Sequence, residues 1–447
     1  MAQEGAALSF LGTSGNLSAI YQSSQLAAVQ KFGVKLTGLT DPSHLTSSSF
    51  YVYYSSDLIN GPKYRLTLNN GQFRQSYALD GDENTKDGQK KTVAQIMAYF
   101  WLTYLSDQMK SRTGLFWADA ARTGKVTNVD AYSHTVETAF ASSVRSNAFF
   151  TYNTDSTGAA TTRSIIMGYA KKAGATAGTY VNLQEMALSA EVYVHEMGHA
   201  NLLAAAGTAI SHDNSNEQYY LTVSTCSDST QVGKKYICSD VSSSYCANTT
   251  LSGLQTLCGA SFNYSLTARF CKTANGCIGG INEGQADFHY LMMFPLKTAL
   301  AETIFNSPIG GFNSSNTYSQ DTSVSPAVCS TSILSEGAKR DVSQVPTSWT
   351  TTNFFNGSAL QFNSCGVTIP GEIHGMGSAY AYLLWSIYSD PSTDKRIFEK
   401  TFQNHLAQMG PSTNFSSAKS ALLSSDAALG GKNQAVISRV FTAKGVL

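Results

Sequence analysis

Between Val192 and Ala206 the chain is apolar on nearly every side of a helical wheel, yet it places His195, Glu196 and His199 inside that stretch. A helix that is apolar all round is a buried one. Two imidazoles and a carboxylate are costly to bury unless they are paired or face a cation. The order His195-Glu196-Met197-Gly198-His199 sets the histidines four residues apart on one helix face, with the glutamate beside them. In that pattern the imidazoles hold zinc and the carboxylate serves as a base. A fold built on such a helix must pack core around most of it and bring a third ligand from elsewhere.

The residues after His199 exclude one source of that ligand, because Leu202 and Ala205 stand where a metzincin continuation needs Gly and His. His212 is a candidate, but it follows Gly207 on a polar stretch with nothing to anchor it. Glu283 is the better candidate: it opens a helix and places Asp287 one turn further along the same face. Asp287 can then accept the second N–H of a zinc histidine and fix its tautomer.

The rest of the composition bounds the class. With 447 residues, 42% of them hydrophobic, the chain can bury a sizeable core. Its 30 basic and 30 acidic residues cancel and form no long run, which leaves no electrostatic footprint for nucleic acid or an anionic membrane surface. The most apolar run, Val93 to Leu105, is too short to span a bilayer, and Met1 to Gly5 lack the basic-then-apolar order of a leader. All eight cysteines lie beyond residue 225 without paired C-x2-C knuckles. Disulfides and a secreted or periplasmic location are therefore expected over a second thiolate metal site.

Residues 1 to 85 alternate apolar and polar, as in Phe50-Tyr51-Val52-Tyr53-Tyr54 and Tyr64-Arg65-Leu66-Thr67-Leu68, and predict strands of an antiparallel twisted sheet. Val93, Ile96, Met97, Phe100, Trp101, Tyr104 and Leu105 predict a buried helix over Thr92 to Ser111, stopped by Gly114. Strands are expected at Asn147 to Tyr152 and Ser164 to Tyr169, followed by the His-Glu-His helix over Met186 to Ala206. Further helices are expected at Asn282 to Glu302, Glu372 to Ser389, Asp394 to Met409 and Ala418 to Leu429. Between them, 208 to 278 read as a loop-rich, disulfide-stapled insertion. The expected organisation is α+β: a β-rich N-terminal lobe over 1–206 that ends in the central metal helix, the insertion over 207–280, and a helical C-terminal lobe over 281–447.

Taken with Gly280-Ile281-Asn282-Glu283 and Ala286-Asp287, the His195-Glu196-x-x-His199 segment resembles the gluzincin metallopeptidases, in particular the thermolysin-like and fungalysin-like enzymes. Ser146-Asn147-Ala148-Phe149-Phe150 and Glu372-Ile373-His374-Gly375-Met376-Gly377 resemble two further segments of those families, in the same chain order. The resemblance implies a two-lobed zincin fold and a zinc endopeptidase that acts on protein or peptide substrates. His195, His199 and Glu283 would be ligands, Asp287 their acidic partner and Glu196 the general base.

It also implies that Asn147 and Ala148 hold an extended substrate, that His374 stabilises the oxyanion, and that Arg340 grips the substrate carbonyl beyond the scissile bond. Tyr219, Tyr220 and Tyr264 remain equal candidates for the family's oxyanion tyrosine. Structural calcium (Ca2+) is implied without a place for it. The segment Asp80-Gly81-Asp82-Glu83-Asn84 reads instead as a solvated acidic turn, since Thr85 and Lys91 replace the Gly and Glu of a calcium loop. His289 reads as structural. The insertion departs from the family and could narrow the cleft, cover it, or bind a partner. Two rivals stand beside this reading: a zinc aminopeptidase of the same clan, and a non-catalytic adhesion or binding protein with a relic site. The first lacks its Gly-x-Met-Glu-Asn motif here, and the second has lost none of the core positions expected to decay.

Overall fold

The computed structural model describes residues 36–41, 43–55, 63–67, 83–133, 148–157, 159–168, 190–207, 216–232, 235–238, 248–293, 320–321, 328–329, 348–355, 371 and 373–446. The chain is mixed α and β, with a sheet in its N-terminal half and helices towards its C-terminus. It divides into two compact units. One holds the described residues up to 207 together with 286–293, and the other those from 216 to 285 and from 320 onward. The division falls inside one helix, and the cysteine-rich segment clusters with the C-terminal helices.

The first unit is built on strands β1 (Leu39–Asp41), β2 (Thr46–Ser47), β3 (Phe50–Ser55), β4 (Lys63–Tyr64), β5 (Thr127–Ser133), β6 (Ala148–Thr154) and β7 (Ala160–Gly168), in the order β1-β2-β3-β5-β7-β6 with β4 paired to β3. The sheet is mixed, not antiparallel as expected, because β3, β5 and β7 run parallel through its centre. The burial of β5 shows why. Val129 and Ala131 on one face and Asp130 on the other are all buried, the pattern of a strand covered on both sides. Strand β6 runs antiparallel to β7 and ends the order, so it is an edge among the described residues.

Helix α1 (Glu83–Thr113) covers this sheet, with Ala94, Ala98, Tyr99, Trp101, Leu102, Leu105 and Met109 buried. Its start at Glu83 precedes the expected Thr92 by more than two turns, so Glu83 and Asn84 are helical and not part of an acidic turn. The polar run from Asn84 to Lys91 carries no apolar periodicity to announce it. Helix α1 ends as expected at Gly114, whose φ of 76° suits a left-handed cap and whose N–H bonds Lys110 O at 2.9 Å. A short helix α2 (Ala120–Thr123) leads into β5.

Helix α3 (Ala190–Ala206) carries His195 and His199 and packs against α1, β6 and β7. Val192, Tyr193, Val194, Met197, Ala200, Leu202 and Leu203 are all buried, so the all-round apolar reading holds. Polar bonds fix it in place: Tyr193 Oη donates to Ala94 O at 3.2 Å, and Ala118 N donates to Asn201 Oδ1 at 3.2 Å.

In the second unit the supposed loops of 208 to 278 form a three-stranded antiparallel sheet, β8 (Glu217–Thr225), β9 (Lys235–Cys238) and β10 (Asn263–Cys271), in the order β10-β8-β9. Helix α4 (Asn248–Cys258) lies between β9 and β10 in the chain. Disulfides join Cys226 to Cys258 and Cys271 to Cys277, which supports the disulfide reading over a thiolate metal site. Helix α5 (Ile278–Met293) follows at once, then α6 (Thr351–Phe355), α7 (Ile373–Tyr388), α8 (Lys395–Leu406), α9 (Phe415–Ala428) and α10 (Gln434–Ala443). Asp394 caps α8 through Ile397 N, and Asn414 forms a capping box with Ser417 on α9. No described helix is long and apolar enough to cross a membrane.

A buried histidine joins α8 to α7. His405 Nδ1 donates to Phe402 O, so its Nε2 accepts from Tyr380 Oη at 3.0 Å. Burial pushes its pKa down to about 4. The unfolded chain therefore takes up this proton first as pH falls, and stability is lost between the ordinary histidine value of about 6.5 and about 4. Urea unfolding at about pH 7 and about pH 4.5 should show a loss of roughly 2 to 3 kcal/mol from this group. The His405→Leu variant should show a shallower pH dependence over the same window; equal slopes would remove His405 as the cause.

Candidate metal centre

Helices α3 and α5 bring three donor groups together. One ligand atom from each of His195, His199 and Glu283 lies within 4.8 Å of the others. The two histidine Nε2 atoms face each other at 3.0 Å with their rings nearly perpendicular. Two ligands about 2.05 Å from one tetrahedral zinc stand about 3.3 Å apart, so this spacing fits a shared ion.

The tautomers support the same arrangement. His195 Nδ1 sits 2.8 Å from Asp287 Oδ1, and the Asp287 side chain is fully buried. An imidazole that donates from Nδ1 to a carboxylate keeps its Nε2 lone pair, and that lone pair points at His199. A proton on His199 Nε2 would satisfy the pair alone. The carboxylate of Glu283 in the same group is what favours a cation. Glu196, next to His195, is 5% exposed and so belongs to the same dry environment.

Glycines let the helices approach closely enough for this. A Cβ on Gly198 would lie 2.7 Å from Ala286 Cα, so α3 and α5 touch backbone to backbone one residue before His199. His289, also on α5, is fully buried with its Nε2 2.9 Å from Asn201 Nδ2, which gives it the structural role expected of it. Asn201 thus bonds α3 to α5 and to the α1–α2 connection. Its role was not anticipated, although a polar amide on an apolar helix is the signal that could have revealed it.

His374 lies on α7, its Nε2 3.6 Å from Glu283 Oε2 and its side chain 45% exposed. It is not part of the group of potential ligands. Ala148 is the first residue of edge strand β6. Asn147, Arg340 and His212 lie outside the described residues, as do Asp80 to Asp82 of the acidic turn. Tyr219 and Tyr220 fall on β8, and Tyr264 of β10 stacks on Phe262, just before that strand, with centroids 5.5 Å apart, which does not separate the three candidates. Glu217, which sequence reasoning did not single out, is fully buried, and its Oε1 accepts from Gly279 N at 2.6 Å.

No protein-family model matches the chain, and no curated protein gives a significant match. The resemblance to gluzincins therefore rests on the residues themselves.

Proposed function

We propose that this chain is a secreted zinc endopeptidase of the gluzincin type. The observation that carries the reading is a donor group that holds three members among the described residues, His195, His199 and Glu283, with His374 beside it but outside it. Structural zinc sites close with four protein ligands, whereas catalytic ones keep a position open. Two imidazoles and one carboxylate are a donor set that suits zinc. Zinc in such a set supplies Lewis acidity, which brings the ionisation of water towards neutral pH.

The remaining work falls to the chain's own groups. Glu196 takes a proton from the attacking water and passes it to the leaving amine. The exposed imidazole of His374 donates from Nε2 to the carbonyl oxygen as negative charge develops there. Edge strand β6, which packs beside α3, offers backbone groups to an extended peptide as an added strand. Recognition of peptide backbone at an edge needs no free amine, which favours an endopeptidase over an aminopeptidase. The Cys226–Cys258 and Cys271–Cys277 disulfides fit an oxidising compartment.

The test is cleavage of fluorogenic casein and of a peptide with a blocked N-terminus, before and after removal of metal with 1,10-phenanthroline. Activity should vanish on chelation, return with stoichiometric zinc, and extend to the blocked peptide. Cleavage of only free N-termini would turn the reading to an aminopeptidase. A folded, zinc-loaded chain that cleaves neither would turn it to a binding protein.

A further inference from the structure

We infer that Glu217, at the start of β8, is a positioning residue for Glu283 and through it sets the strength of the metal centre. The inference rests on Glu283 being a metal ligand, as proposed above.

Gly279 is the second residue of α5, in the first helical turn, where backbone N–H groups have no acceptor within the helix. A side chain at the residue before the helix usually supplies one. Here that residue is Cys277, whose sulfur is committed to the bond with Cys271. Glu217 takes over the task from another element, with its Oε1 2.6 Å from Gly279 N. A carboxylate with 0% exposure must be compensated by such donors, and the positive end of the helix suits its charge. The bond is therefore short, charge-assisted and shielded from water.

Its consequence for Glu283 is geometric. Gly279 and Glu283 are four residues apart, so the bond holds the turn directly beneath the ligand, on the same face. Glu217 is itself fixed, since it pairs with Cys271 across β8 and β10, and Lys272 N donates to the neighbouring Asn216 O at 2.8 Å. Strand β10, the Cys271–Cys277 bridge and Glu217 thus frame the start of α5. The helix also has no room to slip sideways against α7. A Cβ on Gly280 would stand 2.9 Å from Met376 Cβ, and one on Gly284 would stand 2.2 Å from Gly377 O. A change in the first turn is passed along the helix to Glu283 because the packing leaves nowhere else for it to go.

Cobalt(II) in place of zinc gives a visible spectrum that reports ligand geometry and needs no catalytic activity. Co2+ affinity and spectrum would be measured for the whole chain and for Glu217→Ala, Glu217→Gln, Glu217→Asp, Glu283→Ala and the Glu217→Ala/Glu283→Ala pair. Glu217→Ala should weaken binding about 10-fold, within the range for groups that orient metal ligands, and alter the spectrum. Glu217→Gln keeps the reach and the acceptor and should recover most of the affinity. Glu217→Asp keeps the charge but falls short, and should lose more than Gln, a comparison that stands even if the Ala variant does not fold. In the Glu283→Ala background, Glu217→Ala should change affinity less than about 2-fold, because the effect passes through the residue already removed.

Equal losses in both backgrounds, or an Ala variant that binds with unchanged affinity and spectrum, would overturn the positioning role alone. Failure of the unaltered chain to bind Co2+ would overturn it together with the metal reading. Binding without peptide cleavage would overturn the peptidase reading and leave the positioning role standing.

Discussion

On the proposed peptidase reading, Glu196→Gln should lower kcat for peptide cleavage by about 10³-fold, near 4 kcal/mol of transition-state stabilisation, with zinc binding unchanged. Glutamine has the shape of glutamate but cannot take up a proton at neutral pH. The three donors of the metal group do not include Glu196, so the substitution leaves the ligand set whole. Glu283→Gln makes the contrast, since it alters one of the three donors of the candidate group and should lower zinc content along with rate. Zinc stoichiometry measured beside kcat separates the two outcomes. Full activity in a zinc-loaded Glu196→Gln protein would rule this residue out as the base. If zinc is lost, Glu196 belongs to the metal's coordination or to the packing of α3.

What was legible in the sequence follows from which forces are local. The pairing of His195 with His199 is a consequence of helical pitch, and the apolar surround of α3 is written in its own residues. Helices α7, α8 and α9 were expected to within a few residues for the same reason. Glu283 and Asp287 could be placed on one face of α5, and their meeting with α3 followed once a third ligand was required.

Other features depend on partners far along the chain. Nothing in β3, β5 or β7 alone states that they run parallel. Strand β8 sets Tyr219, Tyr220, Leu221 and Val223 among Glu, Gln, Ser and Thr, and its cysteine-rich surroundings read as loop. Helix α10 spaces the buried Val436, Ile437, Val440 and Phe441 at helical intervals, a pattern too short to stand out in the sequence alone. The cap on α5 comes from Glu217, 62 residues earlier, and no local pattern announces it. Chemistry confined to one helix, or demanded by a count of metal ligands, was readable, and a cap supplied by a distant strand was not.

Gly284→Ala should destabilise the protein by about 3 kcal/mol and weaken metal binding with it, although a single methyl is added and alanine favours helices. The added Cβ would lie 2.2 Å from Gly377 O, 2.7 Å from Tyr380 Cβ and 2.9 Å from Ala381 N. Two of these neighbours are backbone atoms of α7, which cannot swing aside as a side chain can. Helices α5 and α7 must therefore separate, and Glu283, the residue before Gly284, moves with the displaced turn. The close approach is mutual: a Cβ on Gly377 would stand 2.4 Å from Glu283 Cβ. Gly253 supplies the internal control, since it lies within α4, is exposed, and has no neighbour within 4 Å of an added Cβ. Gly253→Ala should stabilise the chain by about 0.5 to 1 kcal/mol through helix propensity alone. Denaturant unfolding of both variants, with zinc titration of each, reads the two effects. Opposite signs for the same chemical change would locate the cost of Gly284→Ala in the packing of α5 on α7. A Gly284→Ala variant as stable as the parent and equally tight for zinc would mean the two helices are not held at the separation on which the Glu283 ligand depends.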